Sequence, residues 1–145
     1  MSAVAQPLRA WRPATVALVA AGLGAVLVGV WLLRNFDPTA AGSWFPSCVF
    51  HDLTGLYCPG CGITRALHAL VHFEFTRALA MNAFLIACLP LLALMAVQGL
   101  ARKPLMPQGV ARVLFDGRWW IVALLVFGVL RNLPGLAWLA PGGAL

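Results

Sequence analysis

The sequence predicts an all-α membrane protein with about three transmembrane helices plus one interfacial amphipathic or re-entrant helix after a Cys-containing loop. Three observations carry that prediction. Of 145 residues, 62% are hydrophobic and 10% are charged, against about 45–50% and about 25% in a soluble domain. Two uncharged stretches and a shorter third approach the roughly 20 apolar residues that a spanning helix needs. Between the first two lies a loop rich in proline, glycine and cysteine, followed by a helical apolar stripe interrupted by charge.

The first helix is expected over 14–33, which carries no charge and ends against Arg34. Its Gly22, Gly24 and Gly29 are tolerated in membrane helices and permit close approach of a neighbour. The Cys loop covers 35–62. Pro38, Gly42, Pro46, Gly55, Pro59, Gly60 and Gly62 break it repeatedly, and Trp44, Phe45, Phe50 and Tyr57 read as an interfacial aromatic belt. A helix over 63–79 carries Arg65, His68, His72, Glu74 and Arg77 opposite Leu67, Leu70, Val71, Phe75 and Leu79, the pattern of an amphipathic helix at the interface. The second span is expected over 81–101, kinked at Pro90. A basic loop, 102–117, precedes a third span over 118–133, whose Arg131 is expected to snorkel to the interface. An apolar Pro/Gly-rich tail, 134–145, closes a single membrane domain, 1–145.

Basic residues in short segments orient such a chain. Arg9 and Arg12 before the first helix, and Arg102, Lys103, Arg112 and Arg118 around the second basic segment, fall on one side of a three-span chain. That side is cytoplasmic, and the Cys loop and C-terminus face outward. The net charge of +6 is accounted for by orientation and contact with anionic headgroups. No basic cluster is interleaved with stacking aromatics, so nucleic acid is not an expected partner. The expected partners are the lipid bilayer and other membrane-protein subunits.

The chain has four cysteines. Cys88, inside an apolar run, reads as a small buried hydrophobe. Cys58-Pro59-Gly60-Cys61 precedes a helix, and three chemistries use that arrangement. A metal such as zinc takes two thiolates from such a turn. A thiol–disulfide oxidoreductase uses a helix N-terminus to favour one thiolate. A disulfide in an oxidising compartment pins a loop. If the helix starts near Cys61, then Cys61, Arg65, His68 and His72 follow at steps of four, three and four and share a face. The candidate metal set is Cys48, Cys58, Cys61 and His68; the redox alternative uses Cys58, Cys61 and Cys48. His51, His72, Arg65, Asn82, Arg131 and Asn132 are the supporting polar residues, all reaching the same side in this topology. Arg131 at membrane depth needs a partner: loop carbonyls, a thiolate or an anionic headgroup.

The run Thr54-Gly55-Leu56-Tyr57-Cys58-Pro59-Gly60-Cys61-Gly62-Ile63-Thr64-Arg65-Ala66, with Cys48 before it and Asn82 and Arg131-Asn132 after it, resembles a family of small bacterial integral membrane proteins of unknown function with a CPGCG-x-TRA signature. The resemblance runs from about Asp37 to the end. It implies a small helical protein of the bacterial inner membrane and groups these residues, without choosing among the three chemistries. No Ser/His/Asp set, phosphate loop or dinucleotide fingerprint is present, and Asp37, Asp52, Glu74 and Asp116 are too scattered for carboxylate chemistry. The balance is against an enzyme. It favours a metal-binding or disulfide-pinned accessory or assembly subunit, with the oxidoreductase and a purely structural subunit as alternatives.

Overall fold

A computed structural model describes residues 13–40, 42–43, 45–101 and 106–143. Arg9, Arg12, Trp44, Arg102 and Lys103, used above for orientation and the aromatic belt, lie outside the described residues. The described chain is helical without a strand. Helix α1 spans Pro13–Asn35, α2 Val49–Thr54, α3 Ile63–Val71, α4 Phe75–Leu100, α5 Gln108–Phe115 and α6 Gly117–Leu130, with a 3₁₀ turn at Pro134–Leu139.

Two helices, α1 and α4, are long and apolar enough to cross a membrane, and a third crossing exists if the bent pair α5–α6 forms one span. Helix α1 buries none of its residues against the rest of the chain. Its Leu18, Leu23, Val26 and Leu27 are more than half exposed, a surface suited to lipid rather than water.

Three expected boundaries change. The helix expected over 63–79 breaks. Val71 ends α3, Phe73 takes a left-handed φ of 62°, and the amide of Glu74 turns back to the carbonyl of Ala69 at 2.8 Å. Residues 75–79 therefore open the long apolar helix α4. Part of the expected basic loop is the helix α5, which meets α6 at a 62° bend. Asp116 makes that bend: its own dihedrals are extended, and its side chain accepts from the amide of Arg118 at the start of α6. The tail also folds back, the Gly142 amide donating to the carbonyl of Ala80 at 3.1 Å.

Within α4 the non-helical residue is Asn82 (φ −158°, ψ 91°), not Pro90. Asn82 Oδ1 accepts from the amide of Leu85 at 2.9 Å. It thus caps the longer segment of α4 from within. Small residues let the elements close: Ala66 and Ala69 of α3 and Ala78 of α4 are fully buried. Phe84 of α4 stacks on Phe127 of α6 with centroids 5.2 Å apart.

Gly62 joins the Cys turn to α3. Its φ is +84°, and a Cβ there would lie 2.4 Å from the carbonyl oxygen of Met81. Gly62→Ala combines left-handed strain with a backbone clash, and is expected to destabilise the fold by roughly 2–4 kcal/mol. The measurement is the thermal unfolding midpoint in detergent micelles. An unchanged midpoint would show that α3 and α4 do not approach this closely.

Candidate metal centre

The Cys turn is a short segment with no ladder of its own, so its carbonyls need partners from elsewhere. Three polar side chains supply them. Asn132, just beyond α6, clamps Tyr57 from both sides: the Tyr57 amide donates to Oδ1 at 2.8 Å, and Nδ2 donates to the Tyr57 carbonyl at 2.9 Å. Asn82 Nδ2 donates to the carbonyls of Pro59 and Cys61 at 3.0 and 3.1 Å. Arg131 Nη1 donates to those of Cys58, Pro59 and Cys61 at 2.8, 3.3 and 3.1 Å.

Asn82 and Arg131 are each 1% exposed and are the largest fully buried side chains described. The expectation that Arg131 snorkels to the interface is therefore corrected. Burying its guanidinium is offset by three carbonyls and by the rings of Phe127 and Tyr57, whose centroids lie 4.9 and 5.8 Å from Cζ. Its Nε and Nη2 are buried without a hydrogen-bond partner among the described residues. Of the partners considered from sequence, the loop carbonyls are the ones it meets. Gly128 of α6 admits the turn, since a Cβ there would sit 2.9 Å from Pro59 Cγ.

The turn so held presents two thiols, and α2 brings the third. Cys48 precedes α2, which ends in a left-handed Gly55 that returns the chain toward Tyr57. The ring of His51 stacks on that of Tyr57 at 4.4 Å. Cys58 Sγ lies 3.3 Å from Cys48 Sγ and 3.2 Å from Cys61 Sγ, and all three sulfurs lie within 4.8 Å of one another. The thiols are free.

Cys58 is the central sulfur, and the outer two differ. The backbone amide of His51, then the thiols of Cys61 and Cys58, draw the Cys48 thiol below its usual range. Burial, then the neighbouring Cys58 and Cys48 thiols, pushes Cys61 up to about 12. Of these two, Cys48 gives up its proton the more readily, and Cys61 keeps its own at neutral pH.

His68 does not join the sulfurs. Its ring lies 4.6 Å from that of His72, which stands just past the end of α3. The expected shared face of Cys61, Arg65, His68 and His72 fails at its first member. Gly62 leaves the helical region before α3 begins, so the helical register does not extend back to Cys61. Arg65 is exposed, whereas Cys61 is buried.

An open cleft of about 570 Å³ lies against the sulfurs. Cys48 and Cys61 form part of its wall, with Ser43, Ser47, Thr64 and Arg65 among the polar lining groups. Sequence reasoning also missed the contact of Asp52, whose carboxylate accepts from the Ser47 hydroxyl beside Cys48. An acidic residue four positions after a loop cysteine gave no signal of that contact.

No curated protein and no solved structure matches the chain. Residues 48–96 match a family model described as protein of unknown function (DUF2752). The match is shorter than the expected resemblance, yet it takes in all three clustered thiols and Asn82. In that segment the chain is similar to an uncharacterised family.

Proposed function

We propose that Cys48, Cys58 and Cys61 bind a thiophilic divalent ion such as zinc, and that the chain is an accessory or assembly subunit of the bacterial inner membrane built around that site. The observation that carries this reading is the convergence of three sulfurs within 4.8 Å on a turn whose carbonyls are already tied to Asn82, Arg131 and Asn132. Ligands fixed before the ion arrives lose little freedom on binding it. Three thiolates around a divalent ion leave one negative charge, and the buried Arg131 beside the turn balances it. The three-span topology, the outward Cys loop and the nine-residue signature 58–66 as the family's core belong to the same proposal.

The test is metal analysis together with intact mass of the purified protein, before and after reduction. One equivalent of zinc and an unreduced mass matching four free thiols are expected. A mass two hydrogens lighter with no bound metal would sink the metal reading and leave a disulfide. Orientation is checked separately. An alkaline phosphatase fusion within 36–56 is expected to be active and one within 102–107 inactive; the reverse pattern places the thiols in the cytoplasm.

A second reading has its own support. Cys58 is in contact distance of both other sulfurs, which suits a thiol–disulfide relay in which Cys58 exchanges partners between Cys48 and Cys61. Thiol trapping in cells decides it: a trio that never changes its redox state is not a relay.

A further inference from the structure

We infer that an ion held by Cys48, Cys58 and Cys61 keeps one coordination position open to the adjoining cleft and takes there the thiolate of a small anionic thiol. This inference rests on the metal reading above and adds the class of ligand. Thiolate-bound zinc is almost always four-coordinate, and a site with three protein ligands takes its fourth from outside.

Among the described residues, no fourth Cys, His, Asp or Glu atom groups with the three sulfurs. Every Cys, His, Asp and Glu of the sequence lies among the described residues, and only the three thiols group together. The nearby carbonyls of Tyr57, Cys58, Pro59 and Cys61 already accept from Asn132, Arg131 and Asn82. His51, the nearest imidazole in sequence, stacks on Tyr57 with Nδ1 at 3.3 Å from the carbonyl of Leu56.

The space beside the sulfurs is suited to a ligand. The cleft of about 570 Å³ has Cys48 and Cys61 in its wall, within the usual size range of small-molecule sites. Its lining is hydroxyl-rich rather than apolar, which fits a hydrophilic molecule. Charge selects further. The three protein thiolates and a divalent ion leave one negative charge opposite Arg131, and a fourth thiolate adds another. Arg65, exposed in the cleft lining and without an ion-pair partner among the described residues, supplies the second cation. The lining carboxylate, Asp52, is engaged by the Ser47 hydroxyl. A short thiol-bearing peptide with a free carboxylate meets both demands: its sulfur replaces water on the ion, its thiol proton leaves to solvent, and its carboxylate faces Arg65.

The experiment uses the full chain in detergent, loaded anaerobically with Co²⁺ and assayed first for bound cobalt. Glutathione and 2-mercaptoethanol are then titrated in separate arms. Both are expected to raise the thiolate-to-cobalt charge-transfer absorbance by about a third, as three sulfur ligands become four. Glutathione is expected to saturate at a concentration about tenfold lower, and Arg65→Gln to erase that advantage. An absorbance that does not rise, or cobalt stripped from the protein by the thiol, overturns the inference while leaving the three-thiolate site standing. Equal affinity for the two thiols in the wild type removes the anionic selectivity. A protein that binds no cobalt removes the metal reading itself, and this inference with it.

Discussion

Arg131→Gln is expected to lower the stability of the protein by roughly 2–4 kcal/mol, because buried carbonyls of the Cys turn lose their charged donor. The wild-type guanidinium reaches three carbonyls of one turn through a single nitrogen. Charge-assisted bonds of this kind are worth about 1.5–3 kcal/mol, and the acceptors left behind stay buried. Glutamine is shorter and neutral, so it satisfies fewer of them. Arg131→Lys keeps the charge without the planar fork and is expected to recover part of the loss. Asn132→Ala, which frees both the amide and the carbonyl of Tyr57, is expected to cost about 1–3 kcal/mol. The measurement is the unfolding midpoint of each variant in the same detergent. If Arg131→Gln unfolds where the wild type does, this network is not what shapes the Cys turn.

That network also marks where the sequence stops being legible. Helices able to cross a membrane announce themselves by composition: α1 and α4 are uncharged over most of their length, and lipid asks for nothing subtler. The inner architecture depends on single residues whose types do not advertise their roles. Phe73 adopts a left-handed φ that would be expected of glycine, so the break between α3 and α4 was hidden inside a continuous amphipathic pattern. Asn82 reads as a polar residue near the start of a helix, whereas it caps a segment from within and ties down two carbonyls of the turn.

Arg131 sits where a membrane arginine ordinarily snorkels outward, and only the tertiary arrangement shows it turned inward. The pairing of Cys58 with Cys61 follows from spacing alone. The arrival of Cys48 depends on the six-residue α2 and its left-handed Gly55, too short to leave a periodic trace. The expectation for His68 failed for a local reason. Counting helical steps from Cys61 assumes a helix through Gly62, and Gly62 is the residue that interrupts it.

Cys58→Ser is expected to abolish metal binding, whereas Cys48→Ser and Cys61→Ser only weaken it. Cys58 is the sulfur within 3.3 Å of both others. Its removal breaks both of the short sulfur contacts and leaves Cys48 and Cys61 within 4.8 Å of one another, whereas either other substitution leaves one contacting pair. Proton competition separates the two weaker variants. Metal binds thiolates, so each thiol that ionises on binding releases a proton, and apparent affinity rises with pH. Cys61, held up to about 12 by burial, keeps its proton across the neutral range and contributes about a tenfold gain in affinity for each pH unit. Cys48, drawn downward by the amide of His51, gives up its proton more readily and contributes less. Cys61→Ser should therefore flatten the rise of cobalt affinity between about pH 6 and 8 more than Cys48→Ser does. Competition with a chelator, read at the charge-transfer band across that range, measures both slopes. Equal slopes in the two variants would mean that burial of Cys61 does not govern loading, and retention of stoichiometric cobalt in Cys58→Ser would move the centre of the site away from the turn.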